Sequence, residues 1–314
     1  MMSRRRIGQE AFSFSANESG RRSSLDDLTE LIDWAVIEKH LCDVSASAKG
    51  EPAWPPLCLF KALLLAVWHD LSDVKLAEAL DDRASFRRFC GFSADEATPE
   101  RTAFVRFRRH LIARGLDKTL FDAVTGQLRA KAITVKTGTL VDATVIASAS
   151  HADGEAAWSK HRRRRAVFGF KAHVGADAET ALVEEVAVTP GNVNDGRAGS
   201  QALPDDPGDV YADSAYRGQV FGSAVVARGG RPKVVQTSAW GRPGDDTLRR
   251  LKAWNWSVNR VRCRIEKIFG TWKRSYGLRR MRWRGITKGA LQVRLTATAY
   301  NLKRTMTILR SATA

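Results

Sequence analysis

Apolar positions recur every three or four residues from about Leu25 to Lys131, and the spacing predicts a run of helices. "SSLDDLTELIDWAVIEKHL" opens on Ser and Asp, the residues that cap a helix start. "PPLCLFKALLLAVWHDL" begins with proline, which a first helical turn tolerates. "SDVKLAEALDDRASFRRFCGF" carries a Ser N-cap and ends at Gly91, and "TPERTAFVRFRRHLIARGL" and "DKTLFDAVTGQLRAKAI" complete the set. The apolar stretch Leu57–Trp68 is interrupted by Lys61 and falls short of the roughly 18 to 20 residues that cross a bilayer, so it is expected as a buried helix.

The texture changes near Thr134. "VKTGTLVDATVIAS", "VFGFKAHVGAD", "ALVEEVAVTPG", "GDVYADSAY" and "RPKVVQTS" are Val-rich and bounded by Gly, Pro and Asp, which predicts five strands. "DGRAGSQAL" and "GQVFGSAVVARGG" read as helices around the fourth strand, and a long helix follows the fifth. The order β-β-β-α-β-α-β-α describes an α/β mixed sheet flanked by helices, preceded by an all-helical domain. It resembles the element order of the ribonuclease H-like fold. The expected division is a flexible basic tail over 1–25, a helical domain over 26–131, the α/β domain over 132–305 and a C-terminal tail over 306–314.

Charge sharpens this picture. The last 64 residues hold 16 Lys and Arg against one carboxylate, a balance of +15, which leaves +2 of the net +17 for the first 250. Such asymmetry points to a polyanionic partner, DNA or RNA, held by the C-terminal part. "MMSRRRIGQEAF" has the arginines of an export signal but no apolar core behind them. Cys42, Cys58, Cys90 and Cys263 have neither C-x-x-C pairing nor zinc-ligand spacing, which fits free thiols in a cytoplasmic protein.

The solitary C-terminal carboxylate, Glu266, weakens a charge patch, so a role that depends on its negative charge is expected. On a helix advancing 100° per residue, Asn259, Arg262 and Lys273 fall within about 40° of Glu266. Val258, Val261, Ile265, Phe269 and Trp272 form an apolar seam beside that stripe, and Arg260, Arg264, Lys267 and Arg274 form a basic outer face. An i, i+4 salt bridge of Arg262 with Glu266 is the plainer reading. Asp142 stands in an otherwise apolar strand, where an ionised carboxylate needs a partner or a metal. Asp213 ends the fourth strand, where α/β sheets gather functional groups, although a cap or turn role suits either Asp. Lys171 and His173 face the same site or meet solvent at a strand edge, and "NVND", with Asn194 and Asp195, is also ordinary turn chemistry. "KHRRRR", Lys160–Arg165, is a solvated loop or a phosphate-tracking arm between the first two strands. Trp272 is expected in the core. Arg106, Arg108 and Arg109 serve either DNA reading or helix packing.

"NRVRCRIEKIFGTWK" resembles the Y-x2-R-x3-E-x6-K signature of DDE transposases from bacterial insertion sequences, with Arg262, Glu266 and Lys273 in place and Asn259 where the family has Tyr. "VDATVI" and "ADSAYRG" resemble the blocks carrying the family's two Asp, and the helical region is similar to the N-terminal domain of the insertion-sequence-five group. The resemblance spans roughly residues 50–305. It implies Asp142, Asp213 and Glu266 as catalytic metal ligands for two Mg²⁺ or Mn²⁺ ions, with Arg262 and Lys273 at phosphates near the cut. It further implies double-stranded DNA partners (terminal inverted repeats and target), a homodimer or larger synaptic complex, and a nucleoid-associated enzyme that cuts and transfers strands. A domesticated DNA-binding protein without catalysis, and a nuclease of the same fold, are the competing readings.

Overall fold

The computed structural model describes residues 7–8, 23–42, 44, 52–132, 136–161, 164–237 and 244–313. The chain divides into two compact units, Met1–Leu128 with Arg294–Ala314, and Arg129–Val293. Most of the basic tail expected over 1–25, and Arg162 and Arg163 of the "KHRRRR" run, lie outside the described residues.

The first unit is built from α1 (Ser24–Leu31), α2 (Trp34–His40), α3 (Pro56–Trp68), α4 (Asp73–Asp82), α5 (Ala84–Cys90), α6 (Arg101–Ala113) and most of α7 (Leu116–Ala132). Side chains start these helices as the sequence leads one to expect. Ser23 and Asp26 form a reciprocal capping box at α1, and Asp33 and Ser72 cap α2 and α4. Gly91 closes α5 at φ +89°, a left-handed conformation that glycine takes without strain. α3 is buried on almost every side, Lys61 included, whose ammonium lies 4.5 Å from the Trp34 ring centre. No helix among the described residues is long and apolar enough to cross a membrane.

The last helix, α12 (Ile286–Thr313), departs from expectation. Residues 294–314 belong with the N-terminal helices rather than with the sheet, and 306–313 are helical rather than a tail. The physical cause is packing. Leu295, Ala299, Leu302 and Met306 are buried, Trp68 Nε1 donates to the Ala299 carbonyl at 2.8 Å, and Asn301 Nδ2 donates to Thr125 Oγ1 at 3.2 Å.

The second unit is a six-stranded mixed sheet of β1 (Gly138–Ala147), β2 (Ala157–His161), β3 (Arg164–Asp177), β4 (Val183–Pro190), β5 (Asp209–Ala212) and β6 (Arg231–Val234). β1 pairs antiparallel with β3 and parallel with β5, β5 pairs parallel with β6, and β2 and β4 both pair with β3. Helices α8 (Asp195–Ala198), α9 (Gln219–Ala227), α10 (Asp245–Arg262) and α11 (Arg264–Arg274) complete the unit. This is a ribonuclease H-like α/β fold. β2 is an additional strand that the expected order lacked. "AWSKH" is too short and polar to stand out, and it forms by pairing with β3. Of the "KHRRRR" run, Lys160 and His161 therefore belong to β2, and Arg164 and Arg165 to β3. Val141, Leu203, Val210, Phe221 and Val225 fill the core on one face of the sheet. β3 passes so close to the 3₁₀ turn Gly199–Ala202 that a Cβ on Gly175 would lie 1.9 Å from the Ala202 carbonyl oxygen.

Candidate active site

β1 and β5 run parallel in register Gly138–Asp209 to Leu140–Tyr211. Asp142 and Asp213 each stand two residues beyond that last pair, so adjacent strands deliver both carboxylates at one level. This is the carboxyl-end position where open α/β sheets place functional groups. Asp142 Oδ1 accepts from the Ala143 amide at 2.8 Å, and Oδ2 accepts from Arg262 Nη1 at 2.9 Å. Asp213 caps the 3₁₀ turn Ser214–Tyr216 by accepting from the Ala215 amide at 2.8 Å.

The segment carrying Glu266 is two helices rather than one. α10 ends at Arg262, Cys263 forms the joint at φ −56°, ψ −17°, and α11 begins at Arg264. Arg262 thus ends one helix, while Glu266 sits in the first turn of the next. The stripe drawn on a continuous helix holds within α11 for Glu266 and Lys273, and Arg262 reaches it across the joint. Val258, Ile265, Ile268 and Trp272 are buried as the seam. Ile268 lies deeper than the expected Phe269, which is half-buried. Arg260, Arg264, Lys267 and Arg274 are exposed, as a basic outer face requires.

One guanidinium ties the acids together. Arg262 places Nη1 on Asp142 and Nη2 3.6 Å from Glu266 Oε1. Its Nε donates to Asn259 Oδ1 at 3.4 Å, so the residue standing where the resemblance has Tyr orients this arginine. The Asp142 side chain is 18% exposed and that of Glu266 is 66% exposed. Burial, resisted by the Ala143 amide and Arg262 and reinforced by Asp213 and Asp195, pushes the Asp142 carboxyl up to about 7. Among the described residues no group of three or more His, Cys, Asp or Glu side chains is gathered tightly enough to hold a metal ion.

Three expected DNA contacts have other work. His173 is wholly buried, with Nε2 2.9 Å from Thr189 Oγ1, and burial lowers its imidazole to about 4. A neutral buried ring cannot reach a phosphate. Lys171 donates to Asp195 Oδ1 at 2.8 Å and to the Val193 carbonyl at 2.9 Å. Arg262 is occupied by the acids. Arg108 is likewise committed to packing, through a two-pronged pair with Asp73 at 2.6 and 2.7 Å. Lys273 is half-buried on the last turn of α11.

Two further groups act near the carboxylates, Asp195 of the "NVND" stretch and Tyr216 of the "ADSAYRG" block. Asp195 is close enough to Asp142 to disfavour its ionisation, and the buried Tyr216 hydroxyl has no hydrogen-bond partner among the described residues. The Tyr216 hydroxyl is held well above its ordinary range by burial and then by Asp142, Asp195 and Asp213. The D-x-A-Y spacing of Asp213, Ala215 and Tyr216 was the available signal for the tyrosine.

Residues 133–302 match the family model described as a transposase DDE domain, and residues 12–110 match one described as a transposase domain (DUF772). No solved structure matches the chain.

Proposed function

The chain belongs to the DDE transposases, enzymes that cut and join DNA with a divalent metal, and we propose that Asp142, Asp213 and Glu266 form its cutting centre. In this reading the protein binds the terminal inverted repeats of an insertion sequence, nicks the DNA at the element ends and joins the freed 3′ hydroxyls to target DNA. Two ends are handled together, so the working form is a homodimer or a larger synaptic complex. The observation that carries the reading is the convergence of Asp142 and Asp213 on neighbouring strands, with Arg262 linking Asp142 to Glu266.

The donors suit a hard divalent cation. They are carboxylate oxygens, and a carboxyl raised by burial, with Asp213 and Asp195 adding to it, is one whose ionised form a divalent ion would stabilise. Asp142 and Glu266 would take such an ion beside Asp213 on exchanging their Arg262 contacts. Mg²⁺ or Mn²⁺, as a pair of ions, would supply an activated oxygen nucleophile and charge stabilisation at the leaving 3′ oxygen. The protein's own part is positional. β1 and β5 fix the two aspartates at one level, and the Ala143 and Ala215 amides hold one oxygen of each carboxylate in place. Arg262 holds the charges together until substrate arrives. The exposed cations of α10 and α11 hold the DNA backbone beside the acids.

The test uses purified protein, Mg²⁺ and labelled DNA ends from the element flanking its coding sequence. Wild type cuts at the end, and Asp142→Asn, Asp213→Asn and Glu266→Gln bind the same DNA without cutting it. Cutting by these variants at the wild-type rate removes the assignment.

A further inference from the structure

We propose that the β2–β3 hairpin is a second DNA contact, an arm that grips the duplex roughly 5 to 9 base pairs from the cut. Only the distance rests on the proposed cutting centre; the binding stands on the hairpin itself.

β3 outruns its neighbours. Its pairing with β1 stops at Gly169–Ala147, with one further bond from the Ser148 amide to the Phe168 carbonyl at 2.9 Å, and with β4 at Phe170–Pro190, so Arg164–Val167 pairs with β2 alone. Two strands therefore leave the sheet as a ribbon. An isolated hairpin is marginal in water, but this one has a fixed root. The Met281 amide donates to the Ala147 carbonyl at 2.7 Å, and Arg280 donates to the Ser148 and Ala149 carbonyls, both at 3.0 Å. Asp153, buried, accepts from Ser148 Oγ at 3.0 Å and from the Gly285 amide at 3.1 Å, and Glu155 accepts from the Ile286 amide at 2.9 Å. The segment following α11 thus clamps the base of the ribbon.

What the ribbon carries suits a nucleic-acid backbone. Trp158 is 52% exposed and packs on Phe168 with ring centres 5.5 Å apart, while His151 stacks on the same Phe168 at 5.7 Å. A tryptophan left half in water on a supported aromatic platform offers a flat apolar face to a sugar or base. Lys160 and Arg165 are exposed toward the tip, and Arg279 and Arg284 are exposed near the root. Among the described residues neither Lys160 nor Arg165 makes an ion pair, so both charges are available to phosphate. Charge complementarity with a polyanion selects the partner, and the family supplies DNA.

Strand geometry sets the distance. Asp142 is five residues from Ala147, and about 3.4 Å per residue carries the root roughly 17 Å from the carboxylate. The exposed cations near the tip lie a further four residues out, at roughly 30 Å in all. Duplex DNA rises about 3.4 Å per base pair, which gives the stated span.

The experiment measures affinity of the full chain for a labelled duplex of the element end across a salt series. Each phosphate contact contributes about 0.9 to the slope of log K against log salt, so Lys160→Ala/Arg165→Ala lowers the slope by about 1.8. Its binding defect is therefore about tenfold larger at 50 mM than at 200 mM salt. Trp158→Ala weakens binding without changing the slope. With duplex ends cut back to fewer than about 5 base pairs beyond the scissile bond on the arm's side, wild type and the double variant bind alike. At saturating DNA the double variant still cuts. The single variants Lys160→Ala and Arg165→Ala each give about half the slope change, which guards against a folding defect in the pair. Affinity and slope equal to wild type in the double variant overturn the proposal. Absence of cutting by wild type sinks the cutting centre and leaves the slope measurement standing, so the two failures are distinct.

Discussion

Replacing Asp142 with asparagine is expected to stabilise the metal-free protein at alkaline pH and to lose that advantage in acid. The folded carboxyl is raised from 3.8 to about 7, chiefly by burial, so the folded chain binds this proton more tightly than the unfolded chain does. The stability that goes with the proton is fully present below the unfolded value and is lost as pH rises through the folded one. Between pH 5 and 8 the wild type gives up on the order of 3 kcal/mol at this residue, from about two units at roughly 1.4 kcal/mol each. Asparagine has the same shape and does not titrate, so Asp142→Asn escapes the loss. Urea unfolding in EDTA, followed by circular dichroism at pH 5 and pH 8, measures the gap between variant and wild type at each. The gap moves in the variant's favour by roughly the stated amount on going to pH 8. A gap that is the same at both pH values, or one that moves toward the wild type, refutes the account of a carboxyl raised by burial.

Three further outcomes are expected. Arg108→Met strands the Asp73 carboxylate beside a side chain that is 7% exposed in the native pair, and calorimetry should show a loss of about 3 to 5 kcal/mol. Gly175→Ala drives a methyl group into the Ala202 carbonyl oxygen, so soluble yield and melting temperature fall well beyond a surface-variant effect. Chelation of divalent metal stops DNA cutting while band-shift affinity for the duplex stays within about twofold, because the exposed cations rather than the ion supply most of the backbone attraction.

The sequence reading reached the α/β fold and its two aspartates because each rests on local pattern. Val-rich runs mark β1 and β5, and an Asp inside one and at the end of the other stands out against apolar neighbours. Pairing decided what local pattern does not hold. β2 exists because β3 extends past β1, and nothing in "AWSKH" announces a strand. The joint at Cys263 interrupts a segment whose apolar spacing runs on through it, yet Arg262 still meets Glu266 at the i, i+4 spacing expected of one helix. His173 and Lys171 alternate with apolar residues as half-exposed strand positions do. What holds them is long-range: His173 is buried against Thr189 of the neighbouring β4, and the 193–195 segment takes the Lys171 ammonium. α12 runs on through 306–313, where local pattern suggests a tail, because the residues that bury it lie far away in the chain.

An arginine tethered between two acids is a counterion that can be neither diluted nor chelated away. Any metal that takes Asp142 and Glu266 together must displace this resident guanidinium, and the cheapest new home for it is a phosphate. In the proposed cutting centre Arg262 would be the group that gives way when an ion enters, and its side chain would compete with that ion for Asp142 and Glu266.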